Sequence, residues 1–221
     1  VGVCGYICRS VANAVKVAGG RPVYLDVAAH LCIAPSSLRA VAPGALKVLI
    51  IQHTFGVSGQ LNELLAEARR IGAVVIEDCA HSLGSRWKGK PLGTFGAGAL
   101  FSFQWGKSYS TGQGGMLTVS QPGLLEAVDK VIAATAPRAS ARADACLAAQ
   151  RLAYACLRRL SGEDWLRHVY RRWTALGLVK GSFQERLNSA GEDYVQLAGP
   201  MMATAGLRAL ARWPELARTR R

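Results

Sequence analysis

The most constraining feature of this sequence is a series of short, uninterrupted apolar runs separated by stretches of helical periodicity. Leu46–Gln52 and Ala73–Ile76 are such runs, and Leu61, Leu64, Leu65, Ala68 and Ile71 recur between them at helical spacing. Upstream, Ser10–Ala18 reads as an Ala/Val-rich helix closed by Gly19-Gly20, and Arg21–Asp26 reads as a strand. Downstream, Ala99–Phe103 and Met116–Ser120 read as two more strands, followed by a helix over Leu124–Ala134. A strand that is apolar on both faces is buried on both faces. The pattern therefore predicts an α/β fold: a mostly parallel sheet flanked by helices, joined by right-handed crossovers. Ligands in such sheets sit at the carboxyl ends of the strands, which selects the residues to examine.

The chain has 221 residues, half of them hydrophobic and 19% charged, which suits one globular domain with an appendage and excludes wholesale disorder. No apolar run approaches the roughly 20 residues needed to cross a bilayer, and no charged segment precedes an apolar one at the N-terminus, so a soluble cytoplasmic protein is expected. Six cysteines without a secretion signal are read as buried thiols. Cys4-x3-Cys8 with His30-x-Cys32 has poor spacing for a metal, and none is expected. The net charge of +13 is concentrated toward the end: 15 of the 27 Lys and Arg residues, against 7 of the 14 Asp and Glu, fall in 138–221. Such an excess permits contact with phosphates or anionic lipid without specifying a fold.

At the end of the third strand stand Glu77-Asp78-Cys79-Ala80-His81-Ser82, so a carboxylate and an imidazole emerge where strand becomes loop. The bland reading makes Asp78 a helix cap and His81 a surface residue. At the end of the next strand comes Phe101-Ser102-Phe103-Gln104-Trp105-Gly106-Lys107-Ser108, then Gly112-Gln113-Gly114-Gly115. A lysine just past a buried strand, among aromatics, loses its proton more readily through desolvation and can attack a carbonyl; a solvated loop lysine cannot. Gly106-Lys107-Ser108 resembles the end of a phosphate-cradling loop. Phe101 stands where its first glycine is required, however, and the cluster at 112–115 opens no helix.

In combination these segments are specific. Tyr6-x-Cys8-x-Ser10-Val11-Ala12-Asn13-Ala14-Val15, Gly19–Val23, Gln52-His53-Thr54-Phe55-Gly56, Ile76–Gly84, Lys88-Gly89-Lys90-Pro91-Leu92-Gly93-Thr94-Phe95-Gly96 and Phe101–Gly115 form a colinear series. It resembles the DegT/DnrJ/EryC1/StrS aminotransferases, sugar aminotransferases of the fold-type I pyridoxal-phosphate superfamily. The resemblance covers residues 3–135 well and 195–221 loosely, where Met201–Arg221 looks like the helix leading to the family's small domain. It implies that Lys107 joins the pyridoxal phosphate aldehyde as a Schiff base and that Asp78 pairs with the protonated ring nitrogen. It further places His81 near the ring's 3-hydroxyl edge and Ser102 at the phosphate. Because Lys107 is present where dehydrating relatives have histidine, the implied reaction is transamination, from an amino-acid donor, usually glutamate, to a keto sugar carried on a nucleotide. A homodimer is implied, since family active sites are shared between subunits.

Departures from the family accompany these matches. Cys4 stands where proline is usual, and Cys8 where many members place an aromatic ring against the cofactor, which weakens stacking. The family's length implies a large domain truncated at both ends, so the isolated chain is expected to lack turnover. Three parts are expected: a cofactor-binding core over 1–137, a basic helical insertion over 138–186, and 187–221 leading toward a small domain. In the insertion Arg151, Tyr154, Arg158, Arg159, Trp165, Arg167, Tyr170, Arg171, Arg172 and Trp173 interleave cations with aromatics. Two readings stand for it: a helical hairpin packed on the core, or a surface resting on an anionic membrane through 138–183, peripheral to the inner membrane. Two alternatives to the enzyme are a degenerate relative without catalysis and a basic module for lipid or nucleic acid, with nucleic acid the less favoured partner.

Overall fold

The apolar runs at the centre of the sheet become strands because neighbouring strands and the helices packed on them remove most of their side chains from water, whereas the run at Met116–Ser120 forms an edge strand that stays largely exposed. The computed structural model describes residues 1–107, 109–160 and 196–218, with Trp165, His168, Val169 and Arg172 between them. In chain order the central elements are β1 (Gly2–Cys4), α1 (Arg9–Val17), β2 (Val23–Leu25), α2 (Pro35–Arg39), β3 (Val48–Gln52), α3 (Leu61–Ile71) and β4 (Val74–Asp78). A two-stranded ribbon follows, β5 (Arg86–Trp87) with β6 (Lys90–Pro91), then β7 (Gly98–Ser102), β8 (Gly115–Val119) and α4 (Pro122–Thr135). The remaining helices whose bounds fall within the described residues are α5 (Ala141–Leu160), α6 (Pro200–Ala211) and α7 (Trp213–Arg218).

The main sheet runs β2-β1-β3-β4-β7-β8, parallel throughout except for β8, which is antiparallel to β7. Two cores sit on its two faces. The larger joins Leu49, Ile51, Val75 and Ala99 to Leu61, Leu64, Ala68 and Ile71 of α3; the smaller joins Val3 and Ile50 to Val15 of α1. Helix α3 buries the apolar stripe expected of it and stops at Gly72, whose left-handed backbone (φ 74°) lets its N–H reach Ala68 and Arg69 carbonyls.

The expected α/β architecture is the one observed, with differences that have physical causes. Strand β1 escapes sequence reading because three residues carry no period, although Val3 and Cys4 are fully buried. Strand β4 runs two residues beyond Ile76, since Glu77 and Asp78 stay in register with Ile51 and Gln52 on one side and with Ala99 and Leu100 on the other. The helix expected over Met201–Arg221 is broken at Arg212; Pro214, which cannot supply the N–H a continuous helix needs there, starts a second helix instead. Residues 219–221 lie outside those described.

Of the basic insertion, α5 is a helix that buries Leu147 and exposes Leu152. Arg167, Tyr170, Arg171 and Trp173, and the side chains of Arg158 and Arg159, lie outside the described residues. No helix among the described residues is long and apolar enough to cross a membrane.

Candidate active site

The parallel alignment of β1, β3, β4 and β7 brings their carboxyl ends to one edge of the sheet. Along a strand, side chains alternate between faces, and residues in register across a sheet share a face. Gln52, Asp78 and Leu100 are in register, and Ser102 follows Leu100 by two, so Asp78 and Ser102 share the face covered by α1. Ile51, Glu77 and Ala99 take the opposite face, toward the larger core. Neighbouring carboxylates in the sequence thus serve different sides of the sheet.

Asp78 is almost fully buried, and its Oδ1 accepts the Ala80 N–H at 3.0 Å. This is a local turn, since no helix begins after β4, so the capping role open to Asp78 in the sequence is not realised. Among the described residues its Oδ2 has no hydrogen-bond partner. Burial raises its pKa above the usual carboxylate range, only partly offset by the Ala80 N–H and by the charges of His81, Lys107 and His53. Lys107 follows a turn closed by its own N–H to the Gln104 carbonyl and makes no direct ion pair among the described residues. Burial lowers its pKa, with Asp78 and Cys8 pulling weakly the other way. Both groups are therefore displaced toward their neutral forms: mutual attraction does not repay desolvation.

His81 is exposed overall, yet one face of its ring is covered by Phe55 in a parallel stack (5.4 Å, 2° between planes). Its pKa is lowered by burial first, then by Lys107, against a smaller opposing effect of Asp78. Phe55 holds φ 52°, a strained value for an aromatic residue, and is 67% exposed. The structure thus brings Asp78, His81 and Lys107 into one electrostatic cluster, with Cys8 at the N-terminus of α1 alongside. Ser102 is half-buried at the end of β7, in register with Gly115, and its hydroxyl enters no hydrogen bond among the described residues.

Helices α6 and α7 close over the loop that carries Lys107. Tyr109 donates its hydroxyl to the Gly206 carbonyl, packs against Phe103 and meets the edge of Trp213, while Trp105 packs on Tyr154 of α5. Tyr109→Phe is expected to cost about 1 kcal/mol through the lost hydrogen bond. Thermal melting would read this, and an unchanged melting temperature would refute the clamp.

Sequence reasoning also missed a polar knot directly beneath Asp78. Glu77 is fully buried and accepts N–H groups from Gly93 (2.7 Å), Phe95 (2.6 Å) and Gly96 (2.8 Å), plus Nε2 of the equally buried His53 (3.0 Å). Burial alone would raise its pKa, but these four donors outweigh it and hold the carboxyl below the usual range. The Gly-Thr-Phe-Gly motif thereby finds its reason. Gly93 takes φ 90°, and a Cβ there would lie 2.7 Å from the Phe101 ring. Glu77, His53 and Cys79 present ligand atoms within 4.8 Å of one another. Glu77 is already saturated, however, and burial pushes the Cys79 thiol up to about 12, against the thiolate a metal requires.

Comparison with known proteins places this arrangement. The sequence profile of the DegT/DnrJ/EryC1/StrS aminotransferase family matches residues 8–144. An L-glutamine:2-deoxy-scyllo-inosose aminotransferase of Streptomyces kanamyceticus is 36% identical over 115 residues, 51% of this chain and 27% of that protein. GDP-perosamine synthase of Escherichia coli O157:H7 is 31% identical over 52% of this chain and 32% of its own length. Among solved structures, an aminotransferase from Psychrobacter cryohalolentis superposes with a TM-score of 0.53 at 31% identity, covering 56% of this chain and 32% of that one. Helicobacter pylori PseC covers 96% of this chain and 46% of its own, with a TM-score of 0.64 at 16% identity, a likeness of fold. The matched region thus spans about a quarter to a third of the curated relatives' length.

Proposed function

The chain belongs to the DegT/DnrJ/EryC1/StrS aminotransferase family, and on that premise we propose that it carries the pyridoxal-phosphate half of a sugar aminotransferase site. The supporting observation is the pairing of a buried carboxylate, one oxygen of which has no hydrogen-bond partner among the described residues, with a desolvated lysine close enough for each to act on the other's charge. This donor set fits the cofactor. A cationic ring nitrogen supplies the positive charge that burial leaves Asp78 lacking, and a lysine with a lowered pKa provides the neutral amine that attacks an aldehyde.

When bound, pyridoxal phosphate supplies that aldehyde and an electron-accepting ring. Asp78 keeps a proton on the ring nitrogen, which an uncharged residue cannot do. His81, held by Phe55, would take the 3-hydroxyl edge of the cofactor, and Ser102 would offer its hydroxyl to the phosphate. Lys107 would hold the cofactor through its amine, and the same amine, when free, is the group that would move the proton at the donor's α-carbon. Cys8 fills the place of a stacking ring with a small thiol, so ring binding rests more heavily on Asp78.

The acceptor proposed is a keto group on a sugar ring carried by a nucleotide, the donor glutamate, and the working unit a homodimer. Relatives named for L-glutamine and an inosose favour a second reading, with glutamine as donor and a free cyclitol as acceptor. Incubation with pyridoxal phosphate, borohydride reduction and peptide mapping test the assignment. The label is expected on Lys107; label on Lys88 or Lys90, or on no lysine, overturns it.

A further inference from the structure

We propose that Glu77 and His53 are positioning residues that set the depth of Asp78 and Lys107, and thereby the fraction of Lys107 available as a neutral amine. The inference rests on the proposed role of Lys107 and assigns a task to a buried charge that the chemistry itself does not use. A carboxylate at 0% exposure is costly unless every lone pair is engaged, and Glu77 meets that demand with four donors from two separate segments.

Those segments bracket the site. Gly93, Phe95 and Gly96 belong to the loop that enters β7, the strand whose end launches the Lys107 turn. His53 leaves β3 and gives its own backbone N–H to the Asp78 carbonyl at 3.1 Å, while its ring reaches Glu77. Its Nδ1 is buried without a partner among the described residues, which fits the tautomer carrying its proton on Nε2. One knot thus fixes the ends of β3 and β4 and the approach to β7. Asp78 rides on the residue next to Glu77 but faces the other side of the sheet, so the knot acts on it through the backbone. Neither Glu77 nor His53 is among the charges that shift Lys107, and His53 acts on Asp78 only as the last of its causes, so the Lys107 readout separates positioning from a direct field effect.

Loosening the knot lets water reach Lys107, and the desolvation that depresses its pKa is relieved. Competitive labelling of the whole chain with acetic anhydride across pH, read by mass mapping of each lysine, measures this. In the unaltered chain Lys107 is expected to titrate below Lys88 and Lys90. Glu77→Gln places an amide among four donors and is expected to raise the Lys107 midpoint by about one pH unit, a fall of about tenfold in labelling at neutral pH. The profiles of Lys88 and Lys90 are expected to stay in place. If Glu77→Gln does not fold, His53→Leu, which removes one donor and keeps the three backbone bonds, is expected to move the midpoint in the same direction by less. A purely structural role lowers the melting temperature without moving the Lys107 profile, and that result in a folded variant overturns the proposal. A Lys107 that titrates with Lys88 and Lys90 in the unaltered chain refutes the role of Lys107 as well, and both readings fall together.

Discussion

Lys107→Ala is expected to abolish borohydride-stable capture of pyridoxal phosphate and, at neutral pH, to raise the melting temperature of the unloaded chain. The first outcome follows from the assignment, since no other lysine among the described residues is grouped with Asp78 and His81. The second follows from linkage. The Lys107 pKa is lower in the folded protein than in the unfolded chain, with burial as the main cause. Protonation therefore favours unfolding, and the penalty is largest below the folded pKa. It fades as pH rises between the folded and the unfolded values and is gone above both. Replacing the lysine removes the penalty, so the gain in melting temperature should be present at pH 7 and shrink toward alkaline pH. A variant that melts lower at pH 7 and recovers nothing at high pH would contradict the desolvated-amine reading. Capture that persists without Lys107 would contradict the assignment itself.

What the sequence disclosed and what it withheld divide along the range of the interactions. Strands β3, β4 and β7 and helices α1 and α3 are legible because burial on one or two faces writes a period into neighbouring residues, while β8 and α4 are legible from composition although neither buries a residue. Asp78, His81 and Lys107 are legible as residues at strand ends, and the resemblance orders them. Glu77 is not: beside Asp78 it is simply a second carboxylate, and only the register of β4 against β3 and β7 sends the two to opposite faces. His53 reads as a loop residue because its partner lies 24 positions away. The clamp of Tyr109 on Gly206 joins residues 97 apart, and no local pattern encodes it. Phe55 gives no hint of its positive φ, which bulky side chains disfavour and only the surrounding structure imposes.

Asp78→Asn separates function from folding most sharply. The Asp78 pKa is raised in the folded protein, burial being the largest cause, so the ionised carboxylate costs more in the fold than in the unfolded chain. That cost is absent below the unfolded pKa and fully present above the folded one, and so it applies at neutral pH. Asparagine keeps an oxygen for the Ala80 N–H, the one hydrogen bond the Asp78 carboxylate accepts among the described residues, and carries no charge to desolvate. The unloaded variant should therefore melt at or above the temperature of the unaltered chain at pH 7, with the difference closing in acid. Cofactor binding should move the other way. Loss of a charge-assisted bond to the ring nitrogen, worth roughly 1.5–3 kcal/mol, corresponds to about 10- to 150-fold weaker affinity. Lys107 should respond as well, because Asp78 is the first of the charges that support its protonated form. Its labelling midpoint should fall, opposite in sign to the shift expected from Glu77→Gln. Reduced stability with unchanged affinity would return Asp78 to a structural role, and a Lys107 midpoint that does not fall would show that the two groups share no common field.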